Sequence, residues 1–236
     1  MTEFGTPRRH LRVTDSTNER ARELAAAGAP AGTVVTAAAQ TAGRGRHGRR
    51  WTAPPGTALL YSTILRPLDR RHALLPLAVP VAACEAVESL APVTCAIKWP
   101  NDLWIEDRKV AGILIEARPP EWAVIGVGIN LSIHESEFAS DLRWPATSVG
   151  HGVGVEEMRD ALDRRLGAWV GGEAPRLLAA YRERDALRGR EVEWQEGGEV
   201  RTGTASGVDA DGNLVAVLGD GTSLALGAGE VSLRPV

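Results

Sequence analysis

The sequence predicts an α+β fold: a mixed β-sheet flanked by helices, followed by a small C-terminal SH3-like β-barrel. Two features of the pattern carry that reading. Through residues 1–187, apolar strand-like runs are interleaved with stretches of helical period. From Arg188 the character changes to short β-type runs separated by tight glycine turns, about five strands in some fifty residues. Composition agrees, since 44% hydrophobic and 24% charged residues over 236 positions are an ordinary globular balance with enough apolar mass for a sizeable core. We therefore expect two units, residues 1–187 and 188–236, with no repeats and no low-complexity linker.

The first helix is announced by Asp15-Ser16-Thr17-Asn18 ahead of ERARELAAAG, with Gly28 as its stop. Ser16 and Glu19 have the spacing of a capping box. TVVTAAAQ, at 33–40, is a strand that runs into the arginine- and glycine-rich segment 43–51, and ALLYSTILRP from Ala58 is a second strand. Residues 71–90 are apolar with a helical period, and Pro76 and Pro80 must start, kink or break that helix. A strand at 94–99 ends in Pro100-Asn101-Asp102, residues suited to a tight turn. Asp107-Arg108 is expected to turn one strand into the next, KVAGILIEA, and WAVIGVGINLS from Trp122 is another buried strand. An irregular segment at 133–154 leads to two helices ending near Leu187. The barrel strands are EVEWQ, EVRTGTASGV, NLVAVL, TSLALG and EVSLRPV.

Several function classes are disfavoured. A net charge of −3 argues against a chain that coats nucleic acid, so any polyanion site must be local. No apolar run approaches the roughly 20 residues of a membrane helix, and the start, MTEFGTPRRHLRV, has no secretory core. The two cysteines, Cys84 and Cys95, lie in apolar surroundings and are expected to be reduced core residues of a cytoplasmic protein. No metal-ligand cluster is visible. Of 27 basic residues only Lys98 and Lys109 are lysine. In a chain that uses arginine almost everywhere, a surviving lysine is a candidate for a place where a compact ammonium cannot be exchanged for a planar guanidinium, with chance survival as the plainer reading.

Three segments could carry chemistry. In Gln40-Thr-Ala-Gly43-Arg44-Gly45-Arg46-His47-Gly48-Arg49-Arg50-Trp51, four arginines repel one another, so the segment is expected to be a solvated loop or one that an anion orders. Its glycines allow close backbone approach to a ligand, and Trp51 offers a flat face to shield it. A plain basic loop is the commoner outcome for such charge runs, but the glycine spacing at a strand exit favours a phosphate loop. It matches neither a Walker loop nor a Rossmann glycine motif. Lys98-Trp-Pro-Asn101-Asp102 and Arg108-Lys109-Val-Ala-Gly112-Ile-Leu-Ile-Glu116 put polar groups at both ends of a hairpin-like unit, where they can converge on one cleft. Read singly, each is balanced by a capped turn or a strand-edge lysine. Gly126-Val-Gly128-Ile-Asn130 places glycines in a buried strand and an amide at its end, a weak signal alone.

In this order and spacing, GRGRHGRRW, KWPND, RKVAGILIE and GVGIN closely resemble the biotin protein ligase family, and the likeness runs from DSTN at residue 15 to GAGEVSLR near the end. The resemblance implies a biotin/lipoate ligase, class II synthetase-like catalytic domain that makes biotinyl-5′-AMP from biotin and ATP. Biotin then passes to one lysine of the biotin carboxyl carrier domain of an acyl-CoA carboxylase. Lys109 and Arg46 match catalytic positions, and Asp102 is the candidate for orienting or deprotonating the incoming amine. Ser16, Thr17, Gln40, Gly43, Arg44 and Gly112 match the biotin site, which Lys109 also joins. Arg44, Arg46, Arg49, Trp51, Lys98, Asn101, Asn130 and Trp144 match nucleotide contacts. Magnesium is expected with ATP, held by phosphates and water. The ligase pattern begins almost at Met1, which implies no DNA-binding repressor role and no nucleic-acid or membrane partner. The alternatives are a lipoate or octanoate ligase of the same fold, or a non-catalytic nucleic-acid or protein-binding module.

Overall fold

A computed structural model describes residues 2–140, 142, 144–227 and 231–233. Its larger sheet has seven strands: β1 (Arg8–Leu11), β2 (Val34–Ala37), β3 (Ala58–Leu65), β4 (Ala96–Lys98), β5 (Asp102–Ile105), β6 (Arg108–Arg118) and β7 (Trp122–Asn130). They lie in the order β1-β2-β3-β7-β6-β5-β4, with β1 parallel to β2 and every other pair antiparallel. The mixed sheet is thus as the sequence predicts. Strand β1 is an addition: three of the four residues of RRHL are exposed, so it has no apolar signature.

The helices are α1 (Thr17–Ala26), α2 (Leu75–Glu88), α3 (Val155–Trp169) and α4 (Ala174–Glu183). Gly28, at φ +88°, stops α1 as expected. Pro76 sits in the first turn of α2, where its missing N–H costs nothing, and the helix runs on through Pro80. Glu106 and Asp107, both at positive φ, form the β5–β6 turn, so Arg108 already belongs to β6 rather than to the turn predicted for it.

The two faces of this sheet are covered unequally. Behind it, Leu59, Tyr61, Ile125, Val127 and Ile129 join the apolar residues of α2, α3 and α4 in one large core. In front, α1 covers one end through Ala21, Ala25, Val35, Ile64 and Val124. Ala58, Leu60 and Ile133 form a smaller cluster at the other end. Between those two front clusters the sheet lies open.

The smaller sheet is antiparallel and of SH3-like type: β8 (Glu191–Glu196), β9 (Glu199–Val208), β10 (Leu214–Val217), β11 (Ser223–Leu226) and β12 (Val231–Leu233), in the order β11-β10-β9-β8-β12. Val192, Ala205, Val208, Leu214 and Ala216 share the large core with α2 and the back of the main sheet. The turn before β10 is also tied to the main sheet, since Trp99 Nε1 donates to the Gly212 carbonyl at 3.1 Å. No helix among the described residues is long and apolar enough to cross a membrane. Cys84 and Cys95 are buried free thiols, and burial pushes the Cys84 thiol well up.

A buried polar link crosses the back face. Tyr61 donates its hydroxyl to Asp163 Oδ1 of α3 at 2.7 Å, and Arg159 lies 3.2 Å from Oδ2 of the same carboxylate. Burial raises the pKa of both Tyr61 and Asp163. Tyr61→Phe should therefore destabilise the fold by about 1–3 kcal/mol, the cost of a buried acceptor losing its donor. Thermal unfolding checks this, and an unchanged melting temperature would show that the link carries no stability.

Candidate functional site

The open part of the front face is the floor of a cavity of about 350 Å³. Ser16, Thr17, Gln40, Arg44, Arg46, Arg49, Trp51, Asn101, Asp102, Lys109, Gly112, Asn130 and Trp144 all line it. Of the predicted site residues, Gly43 and Lys98 do not.

One end is built at the start of α1. Ser16 occupies the N-cap position, but its side chain makes no capping bond, so the predicted Ser16–Glu19 capping box does not form. Gln40, just beyond β2, does the work instead: its Oε1 accepts from the Thr17 N–H at 2.6 Å and from Thr17 Oγ1 at 3.1 Å. That exchange leaves the Ser16 hydroxyl available to a ligand. Ser62 of β3 donates to Asn18 Oδ1 at 2.6 Å, and its Oγ lies 2.9 Å from Thr17 Oγ1. Asn18 Nδ2 donates to the Leu114 carbonyl and to Glu116 Oε2 at 3.3 and 3.0 Å. Ser16, Thr17 and Asn18 are all at most 5% exposed. This is a fixed, mostly neutral polar surface.

The middle of the floor follows one row of the sheet, in which Lys98, Asp102, Gly112, Gly128, Leu60 and Ala37 stand opposite one another on six successive strands. Strict alternation along β6 would put Val110 on the same face as Gly112. A register shift between β5 and β6 intervenes, pairing Leu103 with Ala111 and Trp104 with Lys109. The bulge sends Val110 into the back core and turns Lys109 toward the cavity. Its ammonium lies 2.7 Å from Asp102 Oδ1, with the carboxylate side chain 9% and the lysine side chain 27% exposed. The Lys109 backbone is held as well: its N–H donates to the Pro145 carbonyl at 2.7 Å and its carbonyl accepts from Thr147 at 2.9 Å. Segment 145–149, part of the stretch predicted to be irregular, thus continues the sheet where β7 ends.

The arginine segment forms the roof as a small hairpin held by its own backbone hydrogen bonds, with most of its side chains exposed. Trp51 N–H donates to the Gly43 carbonyl at 3.0 Å, Arg44 bridges Arg50, and Gly45 N–H donates to the Arg49 carbonyl at 2.7 Å. Residues 46–48 make a 3₁₀ turn with His47 at φ 54°. Carboxylates also offset the repulsion, since Arg44 lies 3.2 Å from Glu19 and 3.3 Å from Glu116. Gly43 acts by spacing rather than lining: a Cβ there would stand 2.3 Å from the Trp51 carbonyl and 2.7 Å from Gln40 Nε2. The Trp51 indole lies over the Gly112–Gly128 pair, with Lys109 Nζ 5.9 Å from a ring centroid.

The far end is apolar and aromatic, from Ile133, Phe138, Leu142 and Trp144. Asn130 donates Nδ2 to the Thr147 carbonyl, and Asn101 donates Nδ2 to the Ile113 carbonyl, so each has a carbonyl oxygen left to offer. Lys98 is buried beneath the rim, its Nζ 5.5 Å from the Trp144 ring centroid and 5.9 Å from that of Trp104. Its placement supports the aromatic wall rather than the cavity surface. The sequence reading missed Ser62, Glu116 and the pocket role of Asn18. The only signals for them were polar side chains inside otherwise apolar strands and an N-cap cluster longer than a cap requires. No group of three or more metal-type side chains occurs among the described residues. The arrangement suits an elongated ligand with a neutral polar head, an anionic middle and a flat ring at the far end.

Residues 10–130 match the biotin/lipoate A/B protein ligase family, and residues 188–234 match the biotin protein ligase C terminal domain. The biotin--[acetyl-CoA-carboxylase] ligase of Mycobacterium tuberculosis is 34% identical over 234 residues, covering 92% of this chain and 85% of that one. The bifunctional ligase/repressor BirA of Bacillus subtilis is 40% identical over 149 residues, 60% of this chain and 46% of that protein, so the chain spans less than half of that relative's length. In fold, the chain is similar to the biotin protein ligase of Aquifex aeolicus in complex with biotin and ATP. The TM-score is 0.82 at 24% identity, covering 98% of this chain and all of the other.

Two glycines of β7 separate the rigid from the yielding parts of the cavity. A Cβ at Gly126 would stand 2.0 Å from Asn18 Oδ1, and one at Gly128 would stand 2.5 Å from the Trp51 ring. Asn18 is pinned by three partners, whereas Trp51 rides on the hairpin. Gly126→Ala should cost about 1–3 kcal/mol by overpacking, and Gly128→Ala should cost less while displacing the indole. Equal losses in thermal unfolding would show Trp51 to be as fixed as Asn18.

Proposed function

We propose that this chain, which belongs to the biotin/lipoate A/B protein ligase family, is an ATP-dependent biotin protein ligase. The observation that carries the reading is the Lys109–Asp102 pair on the cavity floor. It lies between the neutral polar end at Ser16, Thr17 and Gln40 and the aromatic end at Trp144, under a cationic roof.

The chemistry asked of such a site is a union of two anions. Biotin's carboxylate is a poor electrophile, so a carboxylate oxygen attacks the α-phosphorus of ATP and pyrophosphate leaves with the bonding electron pair. The amine of an acceptor lysine then attacks the acyl carbon of biotinyl-5′-AMP, and AMP departs as the amide forms and the amine loses its proton. In the first step, fixed positive charge offsets the repulsion between carboxylate and phosphate. Lys109 supplies it at the point of contact, and Arg46 and Arg49 supply it from the roof. The hairpin with Trp51 excludes water from the mixed anhydride.

The neutral polar end takes the ureido ring of biotin, using Ser16, Thr17, Gln40 and the backbone at Gly112. Asn101, Asn130 and Trp144 take the nucleotide. Asp102 holds Lys109 in the ligand-free protein, and it orients or deprotonates the incoming amine in the second step. Magnesium, when it accompanies ATP, would be held by the nucleotide phosphates and water. The acceptor is the biotin carboxyl carrier domain of an acyl-CoA carboxylase, in line with the name of the mycobacterial relative. Residues 1–187 form the catalytic unit and 188–236 its barrel companion. The use of ATP and the two buried free thiols support a cytoplasmic setting.

Incubating a carboxylase biotin domain with the protein, ATP and biotin should add one biotin to one lysine, as read by mass spectrometry. Lipoic acid offered in its place should not be transferred, and transfer of lipoate instead of biotin would overturn the reading. Lys109→Arg provides the sharper test. A guanidinium keeps the charge but is wide and planar, and it would hold the biotin carboxylate and the α-phosphate apart. Pyrophosphate exchange should fall by about two orders of magnitude, roughly 2.7 kcal/mol of barrier. Transfer from supplied biotinyl-5′-AMP should fall less. Exchange near the wild-type rate would remove Lys109 from the mechanism.

A further inference from the structure

We propose that Glu116 is a positioning residue which, together with Glu19, clasps Arg44 and fastens the stem of the arginine hairpin over the biotin end of the cavity. The proposal rests on the ligase reading above for the identity of the ligand, but not for the clasp itself.

Arg44 Nη1 is 3.2 Å from Glu19 Oε2 of α1 and 3.3 Å from Glu116 Oε1 of β6, so one guanidinium joins the roof to a helix and to the floor. Both carboxylates are held from the other side. Arg22 donates to Glu19, and the buried Asn18 amide donates to Glu116 Oε2 at 3.0 Å while accepting from Ser62 Oγ at 2.6 Å. Each carboxylate side chain is 24% exposed, so the clasp is partly shielded from water. Arg44 also stands at the base of the hairpin, between the Trp51-to-Gly43 bond and the Gly45-to-Arg49 bond. The hairpin is internally hydrogen-bonded, and restraining its base restrains all of it.

Two consequences follow for the reaction. The charge of Arg44 is already met by two carboxylates, so Arg44 closes the neutral ring end of the ligand. Opening of the roof requires Arg44 to leave Glu116, so this contact governs how readily biotin enters and escapes.

Glu116→Gln keeps the shape and an oxygen for Asn18 while removing the charge. In the ligand-free variant, trypsin should cut after Arg46, Arg49 and Arg50 faster than in the wild type. The KM for biotin should rise about fivefold, the upper end for a partly exposed ion pair, while the KM for ATP and the melting temperature stay near wild type. Arg44→Gln, which also gives up Glu19, should raise the KM for biotin at least as much, and adding Glu116→Gln to it should change nothing further, because the Arg44–Glu116 contact is already gone. Wild-type trypsin cleavage and wild-type KM for biotin in Glu116→Gln would overturn the proposal. So would fully additive effects of the two substitutions, or a rise confined to the KM for ATP. If the wild-type protein makes no biotinyl-5′-AMP, the ligase reading fails, and the trypsin comparison still decides the clasp.

Discussion

A lysine and an aspartate bonded on the floor of a largely apolar sheet impose a condition on everything around them. Withdrawing both charges into a closed core would cost more than their mutual attraction returns. The front face of the main sheet is therefore left uncovered between α1 and the Ala58–Leu60–Ile133 cluster, and the pair meets water or ligand there. The stability lost on that face is compensated behind it. Leu59, Tyr61, Ile125, Val127 and Ile129 are packed under α2, α3 and α4 with almost no exposure. An uneven distribution of apolar cover across one sheet is thus what makes a charged floor possible.

Geometry, rather than composition, decides how that floor is used. Without the register shift at Leu103 and Trp104, Lys109 would face the back core and Val110 the cavity. The glycines across the row then matter in combination. Gly112 and Gly128 are partners on neighbouring strands, and together they make a flat strip on which the Trp51 indole rests. A side chain at Gly128 would displace the indole, and one at Gly112 would press against it.

Much of this was readable beforehand, and the exceptions have identifiable causes. The lysine economy of the chain singled out Lys98 and Lys109, and both have specific surroundings, although only Lys109 reaches the cavity. The glycine-arginine segment was recognisable as a roof for a ligand, but its internal hydrogen bonds were not, because charge repulsion was weighed without the distant Glu19 and Glu116. The bulge leaves no trace in an apolar run such as KVAGILI, where either face could be buried. The exchange of capping duty from Ser16 to Gln40 depends on a contact 23 positions away in sequence. Strand β1 was missed because an exposed edge strand held by backbone bonds needs no apolar pattern.

The contact between Trp99 and Gly212 bears on modularity. The tryptophan belongs to the short turn that holds Asn101 and leads into Asp102 of β5, and the glycine belongs to the β9–β10 turn of the small sheet. Residues of both sheets also enter one uninterrupted core. A C-terminal unit attached in this way is less an appendage than a wall shared by two rooms. It cannot be trimmed away or exchanged for another small barrel without uncovering α2 and loosening the turn that presents Asp102. Selection acting on that barrel for any surface property of its own is thereby constrained by the chemistry next door.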